Sequence, residues 1–164
     1  MIHEKDKENG LMGFIQEMLH NTVFIAAVMG WFVAQLIKMI IHFLITRKLV
    51  WERMIGSGGM PSSHSATVCA MATATGILYG GESVTFAIVV IIAIIVMHDA
   101  MGVRRETGIQ AKVLNDMMVL FKEMGRKMPV EDKLKEFVGH TPLQVWIGAF
   151  LGILVGAVTC VLMM

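Results

Sequence analysis

Residues 84–97 read VTFAIVVIIAIIVM, a run in which only Thr85 is polar. The run continues through HDAM to Met101, and the whole segment approaches the length of about 20 residues that an α-helix needs to cross a bilayer. A helix that is apolar on every side has no face to present to water. The segment 84–101 therefore predicts a helix surrounded by lipid and by other membrane helices.

Comparable apolar segments lie on both sides of this one. The sequence predicts four membrane-spanning helices, at about 22–45, 62–79, 84–101 and 142–164. The second is short and rich in Ala, Thr and Ser, so we expect it to pack against other helices. The predicted fold is all-α, a polytopic membrane helix bundle, with a polar or amphipathic tail over 1–21 and a single membrane domain over 22–164.

The distribution of Lys and Arg predicts how the bundle is oriented. The predicted loop 46–61 contains three of these residues and the loop 102–141 contains eight, whereas the link 80–83 contains none. Because loops rich in Lys and Arg stay on the cytoplasmic side, we expect both long loops there and both termini outside. Residues 121–139 are charged and read as an exposed hairpin or short helix. The expected location is the bacterial cytoplasmic membrane.

Composition excludes several classes of protein. With 55% hydrophobic and 16% charged residues, the chain has more apolar surface than one small soluble core could bury. The net charge of +1 gives no electrostatic basis for binding nucleic acid. Cys69 and Cys160 both lie in apolar segments, which predicts small packing residues in preference to a disulfide or a metal pair.

The turn before the second predicted span is rich in glycine and serine. It reads GSGGMPSSHS over residues 56–65. Glycine lets backbone N–H groups converge, and Pro61 suits the first position of a helix because its missing N–H is not needed there. Anions bind at such helix starts, and His64 can exchange a proton near neutral pH. The turn predicts an anion site that includes Ser62, Ser63 and His64; the alternative is a glycine-rich helix start without function.

A polar stripe runs along the first predicted span. Gln35, Lys38, His42 and Thr46 are spaced by three, four and four residues, so they share one face of a helix. A lysine within the bilayer costs about 2.5–3.5 kcal/mol unless it reaches the surface or finds a partner. Lys38 alone could extend toward the Arg47 end of the helix. Four polar residues on one face favour a helix that faces a polar interior.

Charged groups cluster where the third predicted span ends. Asp99 is followed within a few residues by Arg104 and Arg105, at the predicted cytoplasmic edge. The planar guanidinium group of arginine binds phosphate through two parallel hydrogen bonds. The cluster predicts a phosphate site, and the alternative is that both arginines contact lipid headgroups while Asp99 caps the helix or pairs with one of them.

The last predicted span begins with a recognisable cap. Thr141 is the expected N-cap, Pro142 follows at the first helical position, and Gln144 completes a capping box. His140 precedes this cap and is the second histidine predicted at a helix start on the same side of the membrane. Farther along, Gly148, Gly152 and Gly156 recur every four residues, a pattern typical of close helix packing within one subunit or between copies in a homo-oligomer.

Three motifs together resemble a known family. They are Gly-Gly-Met-Pro-Ser-Ser-His-Ser (58–65), Asp-Ala-x-Gly-Val-Arg-Arg-x-x-Gly-x-Gln-Ala (99–111) with a following Leu-Asn, and Gly-His-Thr-Pro (139–142). The combination resembles the divergent branch of the type 2 phosphatidic acid phosphatases, which are related to acid phosphatases and vanadium haloperoxidases. The resemblance implies phosphatase chemistry without a metal or other cofactor. In that chemistry one histidine attacks phosphorus, another protonates the leaving oxygen, and Lys and Arg hold the phosphoryl oxygens.

The resemblance assigns roles unevenly. Lys38 and Arg47 match the family's first motif loosely, and residues 61–64 match its second motif well, with Ser63 in place of glycine. The third motif is not present as such. Arg104 or Arg105 can supply its arginine, His64 becomes the general acid, and His140 or else His98 becomes the nucleophile, with Asp99 as an orienting carboxylate.

The predicted function is hydrolysis of a lipid phosphate or pyrophosphate at the membrane edge, with lipid phosphates and the bilayer as the expected partners. A second hypothesis is a membrane protein that binds or transports a phosphorylated lipid or anion and has lost the nucleophile, since the third motif departs from the family pattern. A third has Asp99, Glu106 and Asp116 binding Mg²⁺ for a phosphotransferase, but the sequence lacks a second well-spaced set of carboxylates.

Overall fold

The computed structural model describes residues 2–47, 59–125, 133–134, 136 and 139–164, with side chains from Gly10 onward. Within these residues the chain forms α-helices and no β-strand. The helices are α1 (Ile2–His20), α2 (Thr22–Thr46), α3 (Ser63–Tyr79), α4 (Val84–Met101), α5 (Val103–Glu123) and α6 (Pro142–Met163). The fold is an all-α membrane helix bundle, as predicted.

Short polar side chains set the start of each apolar helix. The N-caps of α2, α3, α4 and α6 are Asn21, Ser62, Ser83 and Thr141, and each accepts a hydrogen bond from the backbone N–H of the third residue of its helix. Such a cap satisfies one of the donors that the first turn leaves free. The four helices consequently begin and end within one residue of the predicted spans.

Three helical stretches of the described chain are long and apolar enough to cross a membrane: Thr22–Thr46, Val84–Glu123 and Pro142–Met163. The 17-residue helix α3 is shorter. It packs against α2, α4 and α6, and all its buried residues except Val68 are small or polar, including Ser65, Ala66, Ala70 and Ala74. Because neighbouring helices surround α3, it needs less apolar surface than a helix that faces lipid.

The glycines of α6 form a tight parallel contact with α3. A Cβ atom added at Gly148 would lie 2.4 Å from the Ser62 carbonyl oxygen, and one added at Gly152 would lie 2.3 Å from that of Ala66. The next pair repeats the arrangement, with 2.6 Å from Gly156 to the Ala70 carbonyl oxygen. These glycines therefore contact α3 of the same chain, which is the first of the two predicted alternatives, and they are not available to a second copy.

Helix α2 packs antiparallel against α3, beside α6. Gly30 allows this approach, because a Cβ there would lie 2.7 Å from the Ala66 carbonyl oxygen. Deeper in the bundle, Ala26, Ala74 and Cys160 form a buried cluster. Cys69 and Cys160 are both free thiols. The start of α3 thus lies between the end of α2 and the start of α6.

The segment 102–141, predicted as a loop, begins with the 21-residue helix α5. Charged residues interrupt its sequence, but Ile109, Val113, Met117 and Leu120 recur at the three- and four-residue spacing of a helix. The tail predicted over 1–21 is largely the helix α1. Much of the predicted hairpin at 121–139, and of the loop 46–61, lies outside the described residues.

Candidate functional site

Two histidines face each other at one end of the bundle. His64 lies in the first turn of α3, and His140 lies immediately before Thr141, the N-cap of α6. Their ring centroids are 6.2 Å apart, in an edge-to-face arrangement. The two helices begin at the same end because they run parallel, so two helix N-termini converge on this pair. Each N-terminus carries a partial positive charge that favours an anion.

Backbone contacts fix the position of His140. Its N–H donates to the Ala100 carbonyl oxygen at 3.0 Å, which ties it to the end of α4. Gly139 has a φ of +92°, and a Cβ there would lie 2.4 Å from the Arg105 nitrogen. Only glycine suits both this conformation and this close approach. The Ser62 N–H donates to the Gln144 carbonyl oxygen at 3.1 Å, which joins the starts of α3 and α6.

The Gln144 side chain determines the tautomer of His140. Gln144 Oε1 accepts a hydrogen bond from the Thr141 N–H at 3.1 Å, so this atom is the amide oxygen. It also lies 3.3 Å from Nδ1 of His140. An oxygen can only accept, so Nδ1 carries the proton and the Nε2 lone pair remains available. His140 is 2% exposed, and its buried Nε2 has no hydrogen-bond partner among the described residues.

Positive charges surround the two rings. Lys38 of α2 is 4% exposed, and its charge acts on both His64 and His140, while the charge of Arg104 acts on His64. A Cβ at Gly59 would lie 3.5 Å from Cγ of Lys38, so the described end of the glycine turn packs on the lysine stem. Residues 56–58 of that turn lie outside the described chain.

The polar stripe of α2 faces the interior over only part of its length. Gln35 and Lys38 are buried, His42 is half-buried and Thr46 is exposed. The Thr46 hydroxyl donates to the His42 carbonyl oxygen at 2.8 Å. The deeper part of the stripe thus faces the helix bundle, and its outer part reaches the end of the helix.

Burial lowers the pKa of His140 below its ordinary value of 6.5. The nearby positive charges of Lys38 and His64 act in the same direction, whereas the Gln144 side chain and the Gly59 backbone oppose them. The net direction is downward, so the ring is neutral at neutral pH. A neutral imidazole with a free Nε2 lone pair is the form that acts as a nucleophile or a base.

Asp99 pairs with an arginine instead of a histidine. Its Oδ2 lies 2.5 Å from Nε of Arg104, and the two side chains are 36% and 44% exposed. The Asp99 charge also acts on His64. The ring of His140 is oriented by Gln144, so the predicted orienting role of Asp99 is not what the structure shows. Sequence reasoning missed this role of Gln144. Its position four residues after His140 could have indicated the contact, but Gln144 was interpreted only as part of the capping box.

Most of the chain is similar in sequence to known proteins. The sequence profile described as the divergent PAP2 family matches residues 19–155. The chain belongs to the divergent PAP2 family. It is 39% identical over 147 residues to the uncharacterized membrane protein YuiD of Bacillus subtilis (strain 168), an alignment that covers 84% of this chain and 93% of YuiD. No solved structure matches the chain significantly.

The match of the divergent PAP2 family takes in every predicted site residue, but the structure separates them into two groups. His64, His140, Lys38, Arg104 and Asp99 lie together. The remaining candidates either lie at the start of α3 or are exposed at the end of the bundle. Ser62 is fully buried as the α3 cap, where its oxygen accepts from the Ser65 N–H and the Ser65 hydroxyl. Ser63 is 5% exposed at the start of the same helix.

The outer candidates lie at the same end of this PAP2-family bundle. Arg47 ends α2 in a left-handed conformation, and Arg105 and His98 lie on either side of the junction between α4 and α5. All three are exposed, and the structure describes no contact between their side chains and either paired histidine. Among the described residues, no three His, Cys, Asp or Glu side chains gather closely enough to hold a metal ion. The Mg²⁺ hypothesis for Asp99, Glu106 and Asp116 therefore has no geometric support.

Proposed function

We propose that this protein is an integral membrane phosphatase that hydrolyses a lipid phosphate or pyrophosphate by histidine-based phosphoryl transfer without a metal. The observation that supports the proposal is the pairing of His64 with His140 at two converging helix N-termini. Lys38 and Arg104 add positive charge at the same place. Phosphoryl transfer depends mainly on positioning and on stabilising the charge of the transferred group, and this arrangement offers both.

In the proposed reaction His140 is the nucleophile. Its Nε2 lone pair forms a bond to phosphorus while the bond from phosphorus to the leaving oxygen breaks. His64 gives its proton to that oxygen, and a proton transfer of this kind typically contributes about 10²–10⁴-fold to the rate. A water molecule then attacks the phosphohistidine, returning its proton to His64 and releasing inorganic phosphate and free His140.

The phosphoryl oxygens would be held by Lys38, Arg104 and the backbone N–H groups at the start of α3, including that of Ser63. We assign Arg47 and Arg105, which are exposed at the same end of the bundle, to the headgroups of surrounding lipids. A site at this depth suits a substrate with a polar phosphate head and a tail in the bilayer. Phosphatidate, phosphatidylglycerol phosphate and polyprenyl phosphates share that chemistry.

The test is phosphate release by purified protein in detergent, with EDTA present, from a panel of these lipids. We expect release by the wild type and a loss of at least about 10²-fold in His64→Ala and His140→Ala. His20→Ala, an exposed change on α1, is the matched control and should retain full activity. If His98→Ala lost activity while His140→Ala kept it, the nucleophile would be His98, and sensitivity to EDTA would contradict the metal-free mechanism.

A second function is favoured by two observations. His140 is 2% exposed, and the family's third motif is not present as such; both suit a protein that binds or transports a phosphorylated lipid without cleaving it. This alternative predicts no phosphate release from any lipid in the panel. It also predicts saturable binding of a lipid phosphate that Lys38→Ala weakens and His140→Ala leaves largely intact.

A further inference from the structure

The helix α5 leaves one apolar face uncovered. Ile109, Val113, Met117 and Leu120 form a stripe along the helix, and they are 47%, 53%, 45% and 58% exposed. Four large apolar side chains in line on one helix are an interaction surface in a protein of this size. Among the described residues, nothing packs over this stripe.

The opposite face of α5 contacts the protein. Gly108, Ala111 and Asn115 are buried there. The Asn115 amide donates to the Leu134 carbonyl oxygen at 2.9 Å and to Glu136 Oε1 at 2.7 Å, and its own oxygen accepts from the Leu134 N–H at 3.0 Å. These three bonds fix the rotation of the helix. The apolar stripe therefore points away from the rest of the chain.

Continuity with α4 identifies what lies beside the stripe. Only Gly102 separates α5 from α4, whose outer residues Ile91, Ile94 and Ile95 are apolar and more than half exposed, as expected for contact with lipid. The surface of the bilayer must then lie close to the first turn of α5. A helix that lies at that level, along the membrane surface, can bury an apolar stripe among the acyl chains.

Charge indicates the same neighbour. α5 carries four basic residues, and none of them lies on the apolar stripe: Arg104, Arg105, Lys112 and Lys122. Its acidic residues are Glu106, Asp116 and Glu123. Glu106 lies on the face of the stripe, in the first turn, where the helix dipole favours a negative charge, and Asp116 borders the stripe. An amphipathic helix with cations on its polar side binds at the surface of an anionic leaflet.

We propose that α5 is an interfacial helix, with its apolar stripe in the acyl chains and Arg105, Lys112 and Lys122 among anionic headgroups. This placement does not depend on catalysis. It has a consequence for the histidine pair, however, because Gly139 packs on the backbone of Arg104 and Arg105. The depth of α5 in the leaflet sets the depth of that pair, at the level where lipid phosphates lie.

Nitroxide labels would test the placement in nanodiscs containing phosphatidylglycerol. Labels replace Val113 and Met117 on the stripe, or Lys112 and Lys122 on the polar side, in a chain with Cys69→Ala and Cys160→Ala. We expect collisions with oxygen to exceed those with a water-soluble nickel complex at Val113 and Met117, and the reverse ratio at Lys112 and Lys122. Labels at Ile91 and Glu82 calibrate lipid and water.

Two results would overturn the proposal. The first is that labels on the stripe are as accessible to nickel as the Glu82 label, which would place α5 in water. The second is spin–spin broadening at Val113 that disappears when labelled protein is diluted with unlabelled protein, which would show that a second copy covers the stripe. A photoreactive benzoylphenylalanine at Val113 or Lys112 repeats the comparison with both cysteines retained. It should yield a lipid adduct at Val113 alone, and a lipid adduct at neither position would also count against the interfacial helix.

Discussion

The Gln144 side chain serves two neighbours at once. Its oxygen completes the capping box with Thr141 and contacts Nδ1 of His140. Groups that orient a reacting imidazole in this way fix its tautomer and its direction. Gln144 is thus a positioning residue for the proposed nucleophile. It also caps α6, and this second role does not depend on the proposed reaction.

Replacing Gln144 separates these two roles. Gln144→Leu removes the acceptor, and we expect phosphate release to fall about 10–100-fold, mainly in kcat. Gln144→Glu keeps an acceptor and the capping box, and its negative charge raises the pKa of His140. Since the nucleophile must be neutral, the acid limb of the pH profile should move to higher pH. If both variants kept the wild-type rate and profile, Gln144 would be a helix cap only.

The lowered pKa of His140 predicts a dependence of stability on pH. In the unfolded chain the ring takes up a proton near its ordinary value of 6.5, whereas the folded chain takes it up only at lower pH. The unfolded state therefore binds more protons below that value, and folding becomes less favourable as the pH falls. Above it, both states are neutral and the effect disappears.

This dependence can be measured by thermal unfolding in detergent. Between about pH 7.5 and about pH 5, the Tm of the wild type should fall more than that of His140→Asn, which has no proton to gain. His20→Asn, on an exposed part of α1, serves as the control and should follow the wild type. Equal decreases in the wild type and in His140→Asn would show that His140 does not contribute.

At the scale of the helices, the contact between α3 and α6 leaves the least space for an added side-chain atom. A methyl group at Gly152 would meet the Ala66 backbone at 2.3 Å, and a backbone cannot move as a flexible side chain can. We expect Gly152→Ala to destabilise the bundle by about 1–3 kcal/mol through overpacking. The matched control is Gly13→Ala in α1, where nothing lies within 4 Å of the added Cβ.

Gly13→Ala should be neutral or stabilise the protein by about 0.5–1 kcal/mol, because alanine loses less backbone freedom in a helix. Unfolding of both variants in mixed detergent micelles gives the comparison. A Gly152→Ala protein that unfolds like the wild type would mean that α3 and α6 can separate without loss. The contact would then not hold the histidine pair in place.

The helices differ in how far they could be predicted from the sequence. Long apolar runs identified α2, α3, α4 and α6, and the Thr141 cap located the start of α6, because local hydrophobicity and local hydrogen bonds determine these features. The same reasoning missed α5, where basic and acidic residues interrupt the apolar stripe. The stripe has a helical period, but its average polarity resembles that of a loop.

The candidate site residues also divide into those that local sequence patterns predicted and those that they did not. His64 and His140 were predicted at helix starts on one side of the membrane, and this follows from caps that can be read locally. The pairing of Asp99 with Arg104, and the contact of Gln144 with His140, depend on how the chain turns at Gly102 and Gly139. Such turns depend on tertiary contacts that the spacing of residues does not reveal.

At the scale of the whole molecule, the central position of α3 explains why the site exists. α3 runs antiparallel to α2 and parallel to α6, so its first turn meets Lys38 near the end of one helix and His140 before the start of the other. Two helix N-termini and a buried lysine therefore meet at one end of the bundle. The opposite end, where Glu82 links α3 to α4, has no comparable cluster among the described residues.

The orientation of the bundle decides which leaflet the histidine pair faces. Eight Lys or Arg residues in 102–141, against none in 80–83, predict the cytoplasmic side for this pair. We expect Glu82→Cys to react with a membrane-impermeant maleimide in intact cells, and Glu123→Cys to react only after the membrane is opened. Both positions are exposed, and the wild type with its two native cysteines gives the background. The reverse pattern would place the site at the outer leaflet, and labelling of both positions from one side would show that α4 does not cross. Only the expected pattern gives the proposed site access to the cytoplasmic leaflet.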